Sequence, residues 1–259
     1  MPQQTDRAAI RARLFADPAW SVYALGDLGP GFFEHTSWHT EPSGDALVML
    51  YSAFETPVLF AIGQPEGVEP LLAEIANLHR LYLSVRPEIL PLMRSRYTVS
   101  HETPMWRMVL DPAHFPGEPS RAVRLSVADY PALLRLHADG EPSGEAPDFF
   151  SPGMVEKGIF YGIFEGPALV ATAGTHLVVP SEGVAAVGSV YTRRDRRGQG
   201  LAGEATGSVT AELLRQMPPG AVIALNVRQD NAPALSVYRR LGYTIYCPFY
   251  EGVAERAPA

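Results

Sequence analysis

Between Val190 and Ala202 the sequence reads Val-Tyr-Thr-Arg-Arg-Asp-Arg-Arg-Gly-Gln-Gly-Leu-Ala, a strand-like start that breaks into a basic turn and opens a helix. These residue types suit the holding of a phosphorylated ligand. Glycines let a backbone approach closely, and the first amides of a helix have no internal partner. Such free N–H groups, with the positive end of the helix dipole, favour a pyrophosphate. Arg193, Arg194, Arg196 and Arg197 add positive charge in a chain whose formal net charge is −7. The plain alternative is an ordinary strand–turn–helix corner with a solvated basic face.

Three phosphate-loop patterns compete for this stretch. A P-loop ends in Gly-Lys followed by Ser or Thr, and Gly200 is followed by Leu201, so that pattern fails. Gly198, Gly200 and Gly203 spell the dinucleotide fingerprint G-x-G-x-x-G. That motif requires further strand–helix units and an acidic residue about 20 positions on. Here the next strand carries Asn226 and Arg228 and the chain soon ends. Arg197, Gly200 and Ala202 form Arg-x-x-Gly-x-Ala, which resembles the acetyl-CoA loop of the GNAT acyltransferase superfamily.

The residues that follow extend the resemblance. Leu201, Ala205, Val209 and Leu213 recur every fourth position and give a helix one apolar face. Pro218, Pro219 and Gly220 stop that helix, and residues 221–227 read as a buried strand. Asp230 or Asn231 can cap a further helix with Pro233 in its first turn and Gly242 at its end. The run Leu225-Asn226-Val227, Asn231, Ala234, Val237-Tyr238, Leu241-Gly242-Tyr243 is similar to the C-terminal GNAT motif. The resemblance spans roughly residues 121–250.

Membership of that superfamily implies a reaction and a set of roles. A neutral amine attacks the acetyl thioester of acetyl-CoA directly. Backbone groups of Val190 and Thr192, with Tyr191 between them, hold the pantetheine arm at a splayed strand edge. The corner Arg197, Gly198, Gln199, Gly200, Leu201 and Ala202 holds the pyrophosphate, Asn231 bonds the cofactor arm, and Asn226 supports it. Tyr238 protonates the departing thiolate, although its spacing from Leu235 and Leu241 also suits a ring packed in the core. Arg194 stands where proline is common in the family, and Arg196 where an aromatic residue is common; neither change removes a backbone donor. No general base is identified by the match. His176 is a candidate, with a hydrogen-bonded structural histidine as the commoner reading.

Composition narrows the class. The chain has 259 residues, 46% hydrophobic and 19% charged, as expected of a globular protein with a sizeable core. No apolar run approaches the ~18 residues a membrane span requires, and the N-terminus does not read as a signal peptide. The single cysteine, Cys247, excludes an internal disulfide and a cysteine-based metal cluster. A cytoplasmic protein is expected, binding acetyl-CoA and a small amine acceptor, without metal, nucleic acid or membrane, as a monomer or homodimer. A non-catalytic acyl-CoA sensor is the alternative from another class.

Taken in order, residues 6–16 and 20–28 read as helices, followed by a loop holding Phe32, Phe33 and Trp38. Strands are expected at 46–54, 57–62 and 81–85, helices at 66–78 and 87–94, and one or two strands within 97–110. Asp111–Ser120, with Pro112, Pro116 and Pro119, is the expected boundary. After it come a strand at 122–125, a helix carrying Leu133, Leu134 and Leu136 with Ser126 or Asp129 as its cap, and a loop at 140–152. Glu141, Glu145 and Asp148 in that loop either draw a cationic amine or are solvated. Strands at 158–164, 168–179 and 184–192 form a meander leading into the basic corner.

The stretch Leu83-Ser84-Val85-Arg86, a helix and Arg96-Tyr97-Thr98-Val99 echoes Leu225-Asn226-Val227-Arg228, a helix and Gly242-Tyr243-Thr244-Ile245. The expected fold is therefore α/β (α+β), with tandem GNAT-like units, each a mixed, mostly antiparallel twisted sheet flanked by helices. Residues 1–115 are read as a degenerate GNAT-like domain and 120–259 as the catalytic one. The corresponding corner of the first, Gly63-Gln64-Pro65-Glu66, lacks the arginines, and its Glu66 repels phosphate. The layout also resembles the glycine N-acyltransferase-like branch, without carrying glycine over as acceptor.

Overall fold

The computed structural model describes residues 4–41, 44–75, 77–117, 120–143 and 150–256; Pro119, Glu145 and Asp148 lie outside them. The first half holds helices α1 (Arg7–Leu14) and α2 (Val22–Gly26), strands β1 (Thr36–Thr40), β2 (Leu47–Tyr51) and β3 (Val58–Ile62), then α3 (Pro65–Ala73), β4 (Arg80–Val85), α4 (Leu90–Arg94) and β5 (Thr98–Leu110). The second holds β6 (Val123–Arg124), α5 (Tyr130–Ala138), α6 (Pro152–Lys157), β7 (Tyr161–Glu165), β8 (Ala168–Val179), β9 (Val184–Thr192), α7 (Leu201–Gln216), β10 (Val222–Arg228), α8 (Ala232–Arg240) and β11 (Tyr243–Glu255).

The chain divides into two compact units. The first comprises residues up to Arg107, Val227–Asp230 and those from Tyr246 onward; the second comprises Met108–Asn226 and Asn231–Ile245. The chain thus passes more than once between the units, and the end of β11 belongs to the first.

In the first unit Asp6 caps α1 by accepting from the amides of Ala8 and Ala9 at 2.9 and 3.4 Å, while Ile10 and Leu14 face the core. Strands β1, β2 and β3 pair antiparallel, and β3 then pairs parallel with β4 through the α3 crossover. The far side of β4 is covered by the end of β11, antiparallel from Tyr250↔Val85 to Glu255↔Arg80. Leu81, Leu83 and Val85 alternate into a core with Val48, Leu59, Val68 and Leu71. The loop expected around Phe32–Trp38 is instead partly strand. Trp38 lies on β1, fully buried, its indole N–H donating to Thr36 Oγ1 at 2.6 Å. Polar neighbours hid this strand, since only Trp38 and Thr40 turn inward.

Asp27, following α2, lies in a buried setting that raises its pKa from the usual carboxylate range to about 7. The fold therefore favours its protonated form. That stabilisation is complete below the unfolded pKa near 4 and is lost as pH rises through about 7. Between pH 5 and 8 the wild-type protein is expected to lose on the order of 2–4 kcal/mol relative to Asp27→Asn. Urea unfolding of both proteins across this range measures the difference; parallel pH slopes would contradict it.

In the second unit β6, β7, β8 and β9 form an antiparallel meander, and β9 pairs parallel with β10 across α7. Ser126 and Asp129 form a capping box ahead of α5, with the Ser126 amide donating to Asp129 Oδ2 at 2.8 Å. Leu133 and Leu136 of α5 and Val155 of α6 pack with Leu125, Phe160, Leu169 and Tyr191. Leu201 of α7 packs with Ile163, Val170 and Ala171. Leu169 and Val170 are consecutive on β8 and point to opposite faces, so α5 and α6 cover one face and α7 the other. Leu134, expected beside Leu133, is 45% exposed. The short α6 went unread in the sequence because Val155 is its one buried residue. Glu141 is exposed in a turn after α5. Among the described residues no helix is long and apolar enough to cross a membrane.

Candidate active site

The parallel pairing of β9 with β10 runs from Val184↔Val222 to Val187↔Leu225 and stops there. The next residues of β9 are Gly188 and Ser189, and Ser189 has φ of 49°, a conformation that costs a non-glycine residue about 1–3 kcal/mol. The β8–β9 register shifts twice around this point, between Thr172 and Gly174 and between Thr175 and Leu177. Each shift inserts an extra residue, Val190 or Ser189 on β9 and His176 on β8, and bends the strand. Past the bend, β9 carries Val190, Tyr191 and Thr192 along an edge that the β10 register no longer covers. The hydroxyls of Ser189 and Thr192 are buried without a hydrogen-bond partner among the described residues.

Thr192 leads directly into the basic corner. Gly198 and Gly200 both have φ of 79°, and a Cβ built on either meets no atom within 4 Å. The backbone is thus folded as only glycine readily allows, with open space where side chains would stand. Gly200 is the N-cap of α7, and no side chain caps that helix. Leu201 is anchored inward at 1% exposure, while Ala202 is partly exposed. Arg197, Gly198, Gln199 and Gly200 are exposed. Glu204, whose charge would oppose an anion here, is paired with Arg121 at 3.1 Å.

The four arginines are not equivalent. Arg193 holds Asp195 through two bonds of 2.6 and 3.2 Å. Arg196 holds Glu165 at 2.7 Å and Asp195 at 3.1 Å. Their charge is matched by these carboxylates, so the four-arginine cluster read from the sequence overstates the local field. The Arg194 amide donates to Asp139 Oδ2 at 3.0 Å, and the same oxygen accepts from the Tyr191 hydroxyl at 2.9 Å. These bonds hold the Asp139 carboxyl below its usual pKa, the Arg194 amide contributing most. Arg197 donates from Nε to the Thr192 carbonyl at 3.2 Å and stands 5.5 Å from the Tyr191 ring.

Asn226 is partly buried on β10, one residue beyond the last β9 pair. Asn231, rather than Asp230, caps α8: its Oδ1 accepts from the Ala234 amide at 3.1 Å. Asp230 pairs with Arg228. Helix α8 lies against α7, with Leu241 and Val237 close to Gly207 and Gly203. Tyr238 is buried on α8, its ring edge-on to Tyr243 at 6.2 Å, and burial raises its pKa to about 12. Clefts of about 320 and 410 Å³ lie elsewhere, in the first unit, and none of the candidate residues lines them.

The family model described as the Acetyltransferase (GNAT) family matches residues 127–243, which include this strand, corner and helix pair. Residues 127–243 form a GNAT acetyltransferase domain. Similar solved structures include a GNAT-family protein from Novosphingobium aromaticivorans, 22% identical over 92% of this chain and 97% of that one, with a TM-score of 0.60. A GCN5-related N-acetyltransferase from Kribbella flavida is 18% identical over 93% and 95%, with a TM-score of 0.63. A tandem GNAT protein from the clavulanic acid biosynthesis pathway is 15% identical over 99% and 98%, with a TM-score of 0.58. At these identities the likeness is one of fold: mixed α/β, in tandem GNAT-like units of sheet flanked by helices. No curated protein is detectably similar in sequence.

Within the GNAT domain, Arg197 joins two predicted groups directly, the strand Val190–Thr192 and the corner 197–202. Asn226, Asn231 and Tyr238 follow on β10 and α8 of the same unit. Two features escaped the sequence reading. Asp139 ties the end of α5 to the corner, and nothing in its local sequence marks it. The bend at Gly188-Ser189 carried a readable signal, since a glycine inside an apolar strand suggests a bulge. Among the described residues no group of three or more His, Cys, Asp or Glu forms a metal cage.

Proposed function

We propose that this chain is an N-acetyltransferase that moves an acetyl group from acetyl-CoA to the primary amine of a small molecule by direct attack, in the cytoplasm and without a metal. One observation carries the reading: a strand edge that loses its partner after Val187 leads through the basic turn into a helix N-terminus with no side-chain cap and two open glycines. That arrangement suits a ligand with an extended polar arm ending in a pyrophosphate. Acetyl-CoA supplies an acyl group already activated as a thioester.

The chain's own groups take distinct roles. Backbone atoms of Val190, Tyr191 and Thr192 orient the arm, since the Tyr191 side chain is committed to Asp139. The amides of residues 198–202, with Arg197, take the pyrophosphate. The Asn231 amide N–H bonds the arm while its oxygen keeps the helix cap, and Asn226 braces the same edge from β10. Tyr238 donates a hydrogen bond to the leaving sulfur.

We also propose that the first domain, residues 1–115, is a GNAT-like copy without a cofactor site, and that 120–259 is catalytic. Parallel β3 and β4 joined through α3 repeat the arrangement of β9, α7 and β10. The corner at Gly63, however, is filled. A Cβ there would meet Ala46 Cα at 2.8 Å, and at Gly67 it would meet Ala46 Cβ at 2.9 Å, against open space at Gly198 and Gly200. Pro65 removes an amide from the α3 start and Glu66 adds a negative charge.

Thiol release from acetyl-CoA, measured against amino acids, polyamines and aminoglycosides, tests the function. An amine-dependent rate with matching amide product is expected. Tight binding of acetyl-CoA with no turnover across the panel would favour a sensor instead.

A further inference from the structure

Resting on the acyl-transfer reading, we propose that His176 is the proton acceptor for the attacking amine. On β8 and β9, Gly174 pairs with Gly188 and Thr172 with Tyr191, so these four residues share a face. It is the α5 and α6 face, because Tyr191 packs with Leu133, Leu136 and Val155, and a Cβ on Gly174 would strike the Phe160 ring. The His176 imidazole lies directly over Gly188 on this face: a Cβ built there would come within 2.1 Å of Nε2. Gly188 is also the first residue past the last β9–β10 pair and stands beside the strained Ser189. His176 therefore stands where the sheet opens, on the face opposite α7. A thioester laid along the open β9 edge from the α7 corner would present its carbonyl to an amine arriving from the histidine side.

Glycine at 188 and the extra residue at 176 together make room for the ring. The backbone itself does not require glycine at 188, since Gly188 is not in a left-handed conformation. His176 is exposed to solvent by surface area. The protein atoms crowding its ring desolvate it and lower its pKa to about 4, so the ring is neutral at working pH.

The other titratable groups of this face are buried or already hydrogen-bonded, and the two ring nitrogens of His137 have no hydrogen-bond partner among the described residues. His137 is 4% exposed, with its ring edge-on to both Phe150 and Tyr191. Asp139 is held by Tyr191 and Arg194, and the Tyr130 hydroxyl donates to the Phe150 carbonyl at 3.2 Å.

The step balances without further reactants. The amine nitrogen attacks the thioester carbonyl and the N–C bond forms. The C–S bond breaks and the sulfur leaves with the electron pair. The nitrogen's proton passes to the His176 imidazole, which returns it to water, and the thiolate takes one proton from solvent or through Tyr238. The products are the amide and free thiol.

The test uses the full chain with acetyl-CoA and the best amine found in the acceptor screen. His176→Gln keeps a polar side chain that cannot take up a proton at working pH; its kcat is expected to fall about 100-fold or more, with acetyl-CoA affinity unchanged. Gly188→Ala leaves the histidine in the chain but displaces the ring, and is expected to lower kcat at least tenfold. The double variant should be no slower than His176→Gln alone, because both act through one group. Wild-type turnover with His176→Gln equally fast would overturn the assignment and leave the function standing. Additive losses in the double variant, or lost acetyl-CoA binding in His176→Gln, would assign the histidine to structure. Absence of turnover in the wild type would overturn the function and this proposal together.

Discussion

Gly200→Asp is expected to weaken acetyl-CoA binding at least tenfold, about 1.4 kcal/mol, while the chain stays folded. Gly200 has φ of 79° and ψ of 0° as the N-cap of α7. Aspartate tolerates that conformation better than most residues and is a favoured N-cap. Its carboxylate would take the very amides that a pyrophosphate needs and set a negative charge in their place. The space around Gly200 is open, so no steric clash with protein complicates the result. Calorimetry on the folded variant measures the effect. Unchanged affinity would remove the corner from the binding site.

Tyr238→Phe is expected to lower turnover roughly 10- to 1000-fold with little change in stability or acetyl-CoA affinity. The ring is buried, and phenylalanine keeps its packing against Tyr243. With the hydroxyl pKa raised to about 12, full proton transfer to a thiolate of ordinary pKa near 8.5 runs uphill. The hydroxyl acts chiefly by donating a hydrogen bond as charge gathers on sulfur, and some rate should survive its loss. Single-turnover kinetics isolates this step; equal rates in both proteins would return Tyr238 to a packing role.

The parts of the second unit legible in the sequence were those with local causes. Glycines at 198 and 200, the four-residue apolar repeat from Leu201, and Asn231 ahead of Pro233 each declare a turn, helix or cap within a few residues. What the sequence hid depends on distant partners. The end of β11 lies beside β4, residues joined across most of the chain. The β1 strand shows inward residues only at Trp38 and Thr40. Glu66 and Pro65 were readable as hostile to phosphate, whereas the filling of that corner by Ala46 comes from packing. At the basic corner, four arginines were visible; Arg193 and Arg196 pair locally with Asp195, whereas the pair of Arg196 with Glu165 joins the corner to the end of β7.

The most direct measurement is the stoichiometry of acetyl-CoA binding by calorimetry on the full chain. An open corner at Gly198–Gly200 and a filled one at Gly63 predict one molecule per chain, bound at least tenfold more weakly after Gly200→Asp. Two molecules per chain would contradict the loss of the first site. None, in a folded protein, would contradict the central claim itself.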